Sequence, residues 1–245
     1  MRVLILGGTS EAAGLAHACA GRSGLRVISS LAGRTRTPAA LPGEVRVGGF
    51  GGSEGLQRFL VAQAIGRVID ATHPFAARMA SNAEIACREL EVPRLRLLRP
   101  PWQVQPGDRW TLAADMAEAA GRLPALGRRA FVTVGQGDLE AFADVRGVRL
   151  VVRTIEPPAA RLLHDAIWLF GRGPFRLEDE LLLLRTYDID VLLTKASGGD
   201  ATYAKLAAAR LLGLPVLMVR RPAPPSGPIV ESVPEALAWL EREPG

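Results

Sequence analysis

Residues 2–11 read RVLILGGTSE, and this stretch decides the fold class of the chain. Residues 3–6 form a short apolar run, which is typical of a fully buried strand. Gly7 and Gly8 allow a tight turn, and the Ala- and Leu-rich periodic pattern of residues 10–20 then predicts a helix. A strand, a glycine turn and a helix in this order indicate an α/β fold with a parallel sheet.

The same alternation of strand and helix continues along the chain, which predicts mostly parallel sheets covered by helices. Further strands are predicted over residues 26–30, 44–47, 67–70, 94–98, 130–134, 148–153, 166–170, 191–194 and 216–219. Further helices are predicted over residues 53–65, 74–90, 115–123, 174–187, 201–212 and 234–242. Ser53 is interpreted as a helix N-cap, and Pro74 as the first residue of its helix.

A proline- and tryptophan-containing segment separates the two halves of this pattern. Residues 99–110 include Pro100, Pro101 and Trp102, which fit neither a regular helix nor a central strand. We therefore predict a Rossmann-like domain over residues 1–98, a linker over 99–110 and a second Rossmann-like domain over 111–245. Ligands of such sheets bind beyond the carboxyl ends of the strands, and we expect a cleft between the two halves.

Composition narrows the class of protein. The chain has 245 residues, of which 48% are hydrophobic, and no apolar run approaches the roughly 20 residues that span a membrane. We expect a cytoplasmic protein without a membrane partner. The net charge of +5 implies an anionic ligand, but arginine is spread along the chain, which disfavours nucleic acid. Cys19 and Cys87 are predicted to be buried thiols, and no Cys/His spacing indicates a metal site.

The glycine turn is a candidate phosphate site, because a helix N-terminus presents free N–H groups to an anion. Gly7, Gly8, Thr9, Ser10 and Glu11 form it, although they do not complete a G-x-G-x-x-G motif. An ordinary strand-to-helix turn with Ser10 as N-cap is the alternative.

The end of the second predicted strand indicates which dinucleotide the protein uses. An NAD site places Asp or Glu there, whereas this chain has Ser29 and Ser30, followed by Arg34 and Arg36. Guanidinium groups match phosphate geometry, so these residues favour a 2′-phosphate and therefore NADPH. Arg34 is the better candidate, because Gly33 lets its loop pack closely. A solvated arginine pair is the alternative.

Three further loops follow predicted strands. His73 comes after a buried strand and precedes Pro74, where it could donate a proton or a neutral hydrogen bond, or only brace the loop. Arg172 lies between two glycines and is either a cationic tip or a surface residue of a plain turn. Lys195 stands in a glycine-rich turn before a helix, which favours an anion site over a solvated lysine. His73 and Lys195 are the candidates for catalysis.

Motifs of other enzyme classes are missing from the sequence: we find no nucleophile elbow, no paired catalytic carboxylates and no P-loop. Several motifs instead resemble the precorrin-6A reductase family, in order from residue 2 to about 222. They are GGTSE (7–11), AGRT (32–35), GGFGG (48–52), DATHPFA (70–76), RPPW (99–102), GRGPF (171–175) and TKASGG (194–199).

The resemblance implies that the protein uses NADPH to reduce one double bond of the precorrin-6A macrocycle, or of its cobalt-containing form, and gives precorrin-6B in cobalamin biosynthesis. It implies that residues 7–11 and Arg34 hold the cofactor. It also implies a substrate-binding role for a second set of residues, whose cations would pair with the acetate and propionate groups of the macrocycle. That set is Thr72, His73, Arg172, Lys195, Ser197 and Gly198.

Three alternatives remain open from the sequence. The same scaffold could reduce a different polyanionic substrate, because fold does not fix function. A non-catalytic dinucleotide-binding or nucleic-acid-binding protein is the second, although we find no basic stripe. The third is a cofactor-free tetrapyrrole enzyme with two α/β halves, similar to uroporphyrinogen synthase, which the Arg34 loop disfavours. Gln136 also stands where some relatives are expected to have a basic residue.

Overall fold

The computed structural model of the protein describes residues 1–33, 40–158, 163 and 165–242. The strands are β1 (Arg2–Leu6), β2 (Arg26–Leu31), β3 (Glu44–Val47), β4 (Arg67–Asp70), β5 (Arg94–Leu97), β6 (Arg109–Ala113), β7 (Arg129–Thr133), β8 (Arg149–Thr154), β9 (Ile167–Phe170), β10 (Val191–Lys195), β11 (Pro215–Val219) and β12 (Ile229–Val230). The helices are α1 (Ser10–Cys19), α2 (Ser53–Ala62), α3 (Ala77–Glu89), α4 (Met116–Leu126), α5 (Leu177–Thr186), α6 (Ala204–Leu211) and α7 (Val233–Glu241). Within these described ranges, 3-10 helices cover Gln136–Phe142 and Asp200–Thr202.

The chain divides into two compact units, and each contains one parallel sheet. Met1–Pro100 and Pro222–Gly245 form the first unit, with the strand order β12-β5-β4-β1-β2-β3. Pro101–Arg221 forms the second, with the order β6-β11-β10-β7-β8-β9. The predicted α/β class with two Rossmann-like halves is therefore confirmed. The expected cleft between the halves stays a prediction.

The side chains of β1 show how the first sheet is buried on both faces. Val3 and Ile5 belong to an apolar cluster with side chains of α1 and α7. Leu4 and Leu6 point to the opposite face, in a cluster with side chains of α2 and α3. The alternation follows from the two-residue period of a strand. A central parallel strand is apolar at every position because helices cover both of its faces.

The C-terminal segment differs from the predicted domain boundaries, because residues 222–245 belong to the first unit rather than to a domain over 111–245. Strand β12 pairs with β5, and α7 packs on the sheet through Ala236 and Leu240. Arg67 in β4 donates to the backbone carbonyls of Trp239, at 2.6 Å, and Leu240, at 2.9 Å. These carbonyls end a helix and lack intrahelical donors. The buried guanidinium therefore ties α7 to the first sheet.

The predicted linker was also wrong in part, since its last residues begin β6, which pairs in parallel with β11. Trp110 lies within this strand, and the prolines that precede it made the strand difficult to predict from the sequence.

The predicted helix starts need two further corrections. Helix α2 has Gly52 rather than Ser53 at its N-cap, and α3 begins at Ala77, after a turn that contains Pro74. That turn is closed by a 2.8 Å bond from the Ala76 N–H to the His73 carbonyl.

None of the helices in the described ranges is long and apolar enough to cross a membrane.

Both cysteines are buried in the first unit, as predicted, with 2% of Cys19 and 3% of Cys87 exposed. Burial raises the pKa of the Cys87 thiol to about 12 and also raises that of Cys19. Because the thiolate is the reactive form, both thiols stay protonated and unreactive at pH 8. We expect no alkylation by iodoacetamide at pH 8 in the native protein, measured by mass spectrometry. Both sites should react in guanidinium, and rapid native alkylation of Cys87 would contradict the prediction.

Candidate active site

The glycine turn lies at the point where the first sheet reverses its strand order. Strands β2 and β3 lie on one side of β1, whereas β4 and β5 lie on the other. Ligands of open α/β sheets bind at such switch points, beyond the carboxyl ends of the strands. The predicted cofactor loop, residues 7–11, follows β1 at this position, and the DATHPFA segment follows β4 beside it.

Gly7 and Gly8 shape this loop for different reasons. A Cβ at Gly7 would come within 3.3 Å of the Cβ of Ala12, so a side chain there would crowd α1 against the turn. Gly8 has a φ of 112°, which favours glycine, and no described atom lies within 4 Å of the place its Cβ would occupy. The backbone is therefore bare and accessible just before the N-terminus of α1, which fits a cofactor phosphate.

The hydroxyl of Thr9 joins the loops that follow β1 and β4. Its Oγ1 donates to the backbone carbonyl of Ala71, at 2.8 Å, and accepts from the N–H of Ala12, at 3.1 Å. Thr9, and not Ser10, is thus the N-cap of α1. A hydroxyl has one proton, and here the carbonyl of Ala71 takes it. Thr9 can therefore offer a phosphate its backbone N–H, while the Ser10 side chain is exposed beside Glu11.

Glu11 would repel a phosphate if its charge were not neutralised. Its Oε2 lies 3.1 Å from Nη1 of Arg99, and both side chains are largely buried. The carboxylate also lies in the first turn of α1, where the helix dipole favours a negative charge. Glu11 therefore connects the RPPW segment to the predicted cofactor loop.

The end of β2 lacks a carboxylate, as the sequence predicted. Ser29 and Ser30 are buried there, and Arg34 lies outside the described residues. Arg46, at the end of neighbouring β3, donates to the Gly49 carbonyl at 2.7 Å, and its guanidinium carbon lies 3.9 Å from the Phe50 ring centroid. Arg46 thus holds the GGFGG loop in shape. Sequence reasoning missed this residue, although its place just before the glycines was a usable signal.

A buried ion pair supports the loop after β4. Asp70 and Arg96 face each other across neighbouring strands, with side chains 0% and 3% exposed. One Asp70 oxygen accepts from Arg96, and the other accepts from the N–H of Thr72, at 3.1 Å, and from its hydroxyl, at 2.6 Å. The Asp70 carboxylate therefore holds Thr72 in place, and the sequence analysis did not identify this role of Asp70.

His73 is half-buried and is oriented by its own loop. Its Nδ1 accepts from the N–H of Phe75 at 3.2 Å, and the ring centroids of His73 and Phe75 are 5.8 Å apart. If Nδ1 accepts a hydrogen bond, a neutral imidazole carries its proton on Nε2. The arrangement therefore presents Nε2 as a hydrogen-bond donor.

Lys195 stands at the end of β10 and is paired. Its Nζ contacts Oδ2 of Asp138, with 13% of the lysine side chain exposed and 30% of the aspartate side chain. Asp138 is contributed by the 3-10 helix after β7, the strand next to β10. The carboxylate of Asp138 balances the charge of the Lys195 ammonium group. The sequence predicted the lysine but missed its partner.

The TKASGG loop after β10 is held by two side chains. Arg221 donates to the carbonyls of Ala196, at 2.6 Å, and Ser197, at 2.9 Å, and Trp102 donates through Nε1 to the carbonyl of Gly199 at 2.8 Å. Ser197 is half-buried and Gly198 is buried with a φ of 67°. Several residues that are predicted to contact the substrate thus lie on this one turn, which Arg221 and Trp102 hold in place.

The GRGPF loop follows β9, next to β8 at the edge of the second sheet. Arg172 is exposed at its tip. Phe175 anchors the loop, because the guanidinium carbon of Arg153 lies 3.6 Å from its ring centroid. Arg153 is in turn paired with buried Glu180 of α5. The loop is therefore rigidly supported while Arg172 stays accessible.

Comparison with known proteins agrees with this geometry. The family model described as Precorrin-6x reductase CbiJ/CobK matches residues 2–241. Precorrin-6A reductase of Rhodococcus erythropolis is 48% identical over 98% of this chain and 97% of its own length. The chain belongs to the precorrin-6A reductase family. It is an oxidoreductase that reduces precorrin-6A in cobalamin biosynthesis, as the resemblance implied.

Two further comparisons refine the family assignment. A solved structure of CobK precorrin-6A reductase superposes with a TM-score of 0.92 at 41% identity, covering 98% of this chain and 96% of that one. Cobalt-precorrin-6A reductase of Priestia megaterium is 28% identical over 98% of this chain and 98% of its own. Reductases of this family need a reduced nicotinamide cofactor as the source of hydride.

Proposed function

We propose that the protein is an NADPH-dependent reductase of metal-free precorrin-6A, with the cofactor pyrophosphate on residues 7–11. The main support for the cofactor site is the backbone at Gly8, which no described side chain covers. Gly8 precedes the N-terminus of α1 at the switch point of the sheet. The carboxylate-free end of β2 and the guanidinium of Arg34 favour NADPH over NADH. The chain is 48% identical to a precorrin-6A reductase and 28% identical to a cobalt-precorrin-6A reductase, which favours the metal-free substrate.

When bound, NADPH supplies a hydride to one carbon of the double bond, and the neighbouring carbon gains a proton. We assign Thr72, His73, Arg172, Lys195, Ser197 and Gly198 to the substrate. Lys195 and Arg172 would pair with its carboxylates through charge-assisted hydrogen bonds. As a neutral imidazole, His73 would donate a hydrogen bond from Nε2. An imidazolium would carry a second proton on Nδ1, and that proton would face the Phe75 N–H. Water is then the preferred source of the proton.

A turnover assay tests this function. Purified protein is mixed with enzymatically prepared precorrin-6A and NADPH, and the pigment is followed by mass spectrometry. We expect a gain of two hydrogens with NADPH and much slower reduction with NADH. Reduction of the cobalt form alone would contradict the metal-free assignment. Failure with both forms would contradict the proposed reaction.

Replacement of Arg34 tests the choice of cofactor. Arg34→Ala is expected to lower kcat/KM for NADPH about tenfold to 100-fold, since a charge-assisted hydrogen bond contributes about 1.5–3 kcal/mol. The value for NADH should stay within about twofold, because NADH has no 2′-phosphate. Arg36→Ala is the matched control and should change neither value. An unchanged NADPH preference in Arg34→Ala would place the 2′-phosphate elsewhere.

A further inference from the structure

The backbone of the TKASGG loop is oriented by side chains from both ends of the second unit, which spans Pro101–Arg221. Trp102 lies near the start of that unit, and Arg221 is its last residue. Both donate to backbone carbonyls of the same loop, at Gly199, Ala196 and Ser197. The sequence analysis placed Trp102 in the predicted linker and in the RPPW motif but assigned it no role.

The direction of these carbonyls fixes the direction of the N–H groups. In a planar trans peptide the C=O and the following N–H point opposite ways. The Ser197 carbonyl points to Arg221, so the Gly198 N–H points away from it. The Gly199 carbonyl points to Trp102, so the Asp200 N–H points away from the indole. Within the described residues, neither N–H donates to a backbone or side-chain acceptor.

We propose that Trp102 and Arg221 are positioning residues for the reaction, which aim the N–H groups of Gly198 and Asp200 at a substrate carboxylate. The positive φ values of Gly198 and Gly199, 67° and 77°, favour glycine at both positions, so no side chain of these residues covers the loop backbone. Lys195 adds a full charge to the same turn. This inference rests on the proposed function of the loop in binding precorrin-6A.

Trp102→Phe is the sharpest test, because it removes the indole N–H and keeps an aromatic ring beside Tyr203, whose ring centroid is 6.4 Å away. Trp110→Phe is the matched control. Trp110 is an indole of the same unit whose buried Nε1 has no hydrogen-bond partner in the described parts of the chain. The two variants lose the same atoms, but only one loses a bond to the loop.

Two measurements separate positioning from general stability. In Trp102→Phe, amide hydrogen exchange of Ser197 and Tyr203, whose hydrogen-bonded N–H groups flank residues 198–200, should accelerate. KM for precorrin-6A should rise about tenfold at nearly constant kcat, as for one lost hydrogen bond. KM for NADPH should match that of Trp110→Phe.

Unchanged exchange in Trp102→Phe would overturn the positioning role. Faster exchange with an unchanged KM would overturn the link between this loop and the substrate. If the wild type does not reduce precorrin-6A at all, the proposed function fails, and the exchange data still decide whether Trp102 orients the loop.

Discussion

Asp70→Asn is expected to lower the free energy of unfolding of the first unit by about 3 kcal/mol, since it leaves the Arg96 charge buried without its counterion. The side chain of Arg96 is 3% exposed, so water cannot replace the lost carboxylate. Asparagine is nearly isosteric and retains one acceptor for Thr72. The loss of stability therefore measures the effect of the missing charge rather than that of a cavity. Urea unfolding followed by circular dichroism measures it.

The control for Asp70→Asn removes a carboxylate from an exposed pair of the same unit. Glu54 and Arg58 lie one turn apart on α2, with side chains 84% and 74% exposed. Glu54→Gln should change stability by less than about 0.5 kcal/mol. If Asp70→Asn had an equally small effect, the buried pair would not stabilise the β4 loop as we argue.

Function should respond to the same substitution in a specific way. Asp70 fixes Thr72, and His73 follows directly, so a shifted loop would weaken substrate binding in the surviving folded protein. We expect a higher KM for precorrin-6A at temperatures well below the unfolding transition. The NADPH site should be affected less, because Thr9 is linked to Ala71 through a backbone carbonyl, which the substitution leaves in place.

The helices and strands and their order could be predicted from the apolar periodicity of the sequence, because buried strands and amphipathic helices each produce a local pattern. Strand β1 and helix α1 are clear cases, predicted within one or two residues. Strand β12 could not be found this way. It has two residues, and its place beside β5 depends on how the C-terminal segment returns to the first sheet. No local signal encodes such a return.

Loop residues with ligand chemistry were predictable, whereas the residues that hold them were not. His73 and Lys195 stand out because each follows a strand and precedes proline or glycine. Asp70 fixes Thr72, which precedes His73, and Asp138 pairs with Lys195. The ion pairs Asp70–Arg96 and Asp138–Lys195 join residues that lie 26 and 57 positions apart in the chain. Lys205 on α6 is buried with 4% exposure, which its helical position in the sequence does not indicate. Its Nζ lies 5.3 Å from the Trp102 ring centroid.

Lys195→Met is expected to lower kcat/KM for precorrin-6A by roughly 100-fold, about 3 kcal/mol, if Lys195 pairs with a substrate carboxylate. Losing one partner of a desolvated charge pair costs about 2–5 kcal/mol. The largely buried ammonium meets that condition. Arg185→Met removes one positive charge from an exposed site on α5 and should leave kcat/KM unchanged. Steady-state kinetics with varied precorrin-6A at saturating NADPH provides the comparison.

Asp138 makes this prediction sharper, because it would remain as an uncompensated carboxylate after Lys195 is replaced. Its charge would repel the carboxylate that Lys195 had attracted. The double variant Lys195→Met/Asp138→Asn should therefore recover part of the activity, giving a coupling energy of about 1 kcal/mol in a double-mutant cycle. A purely structural ion pair behaves differently, since Lys195→Met would then lower Tm while KM for precorrin-6A stayed constant. That result would remove Lys195 from the substrate site and leave the anchoring of the turn as its role.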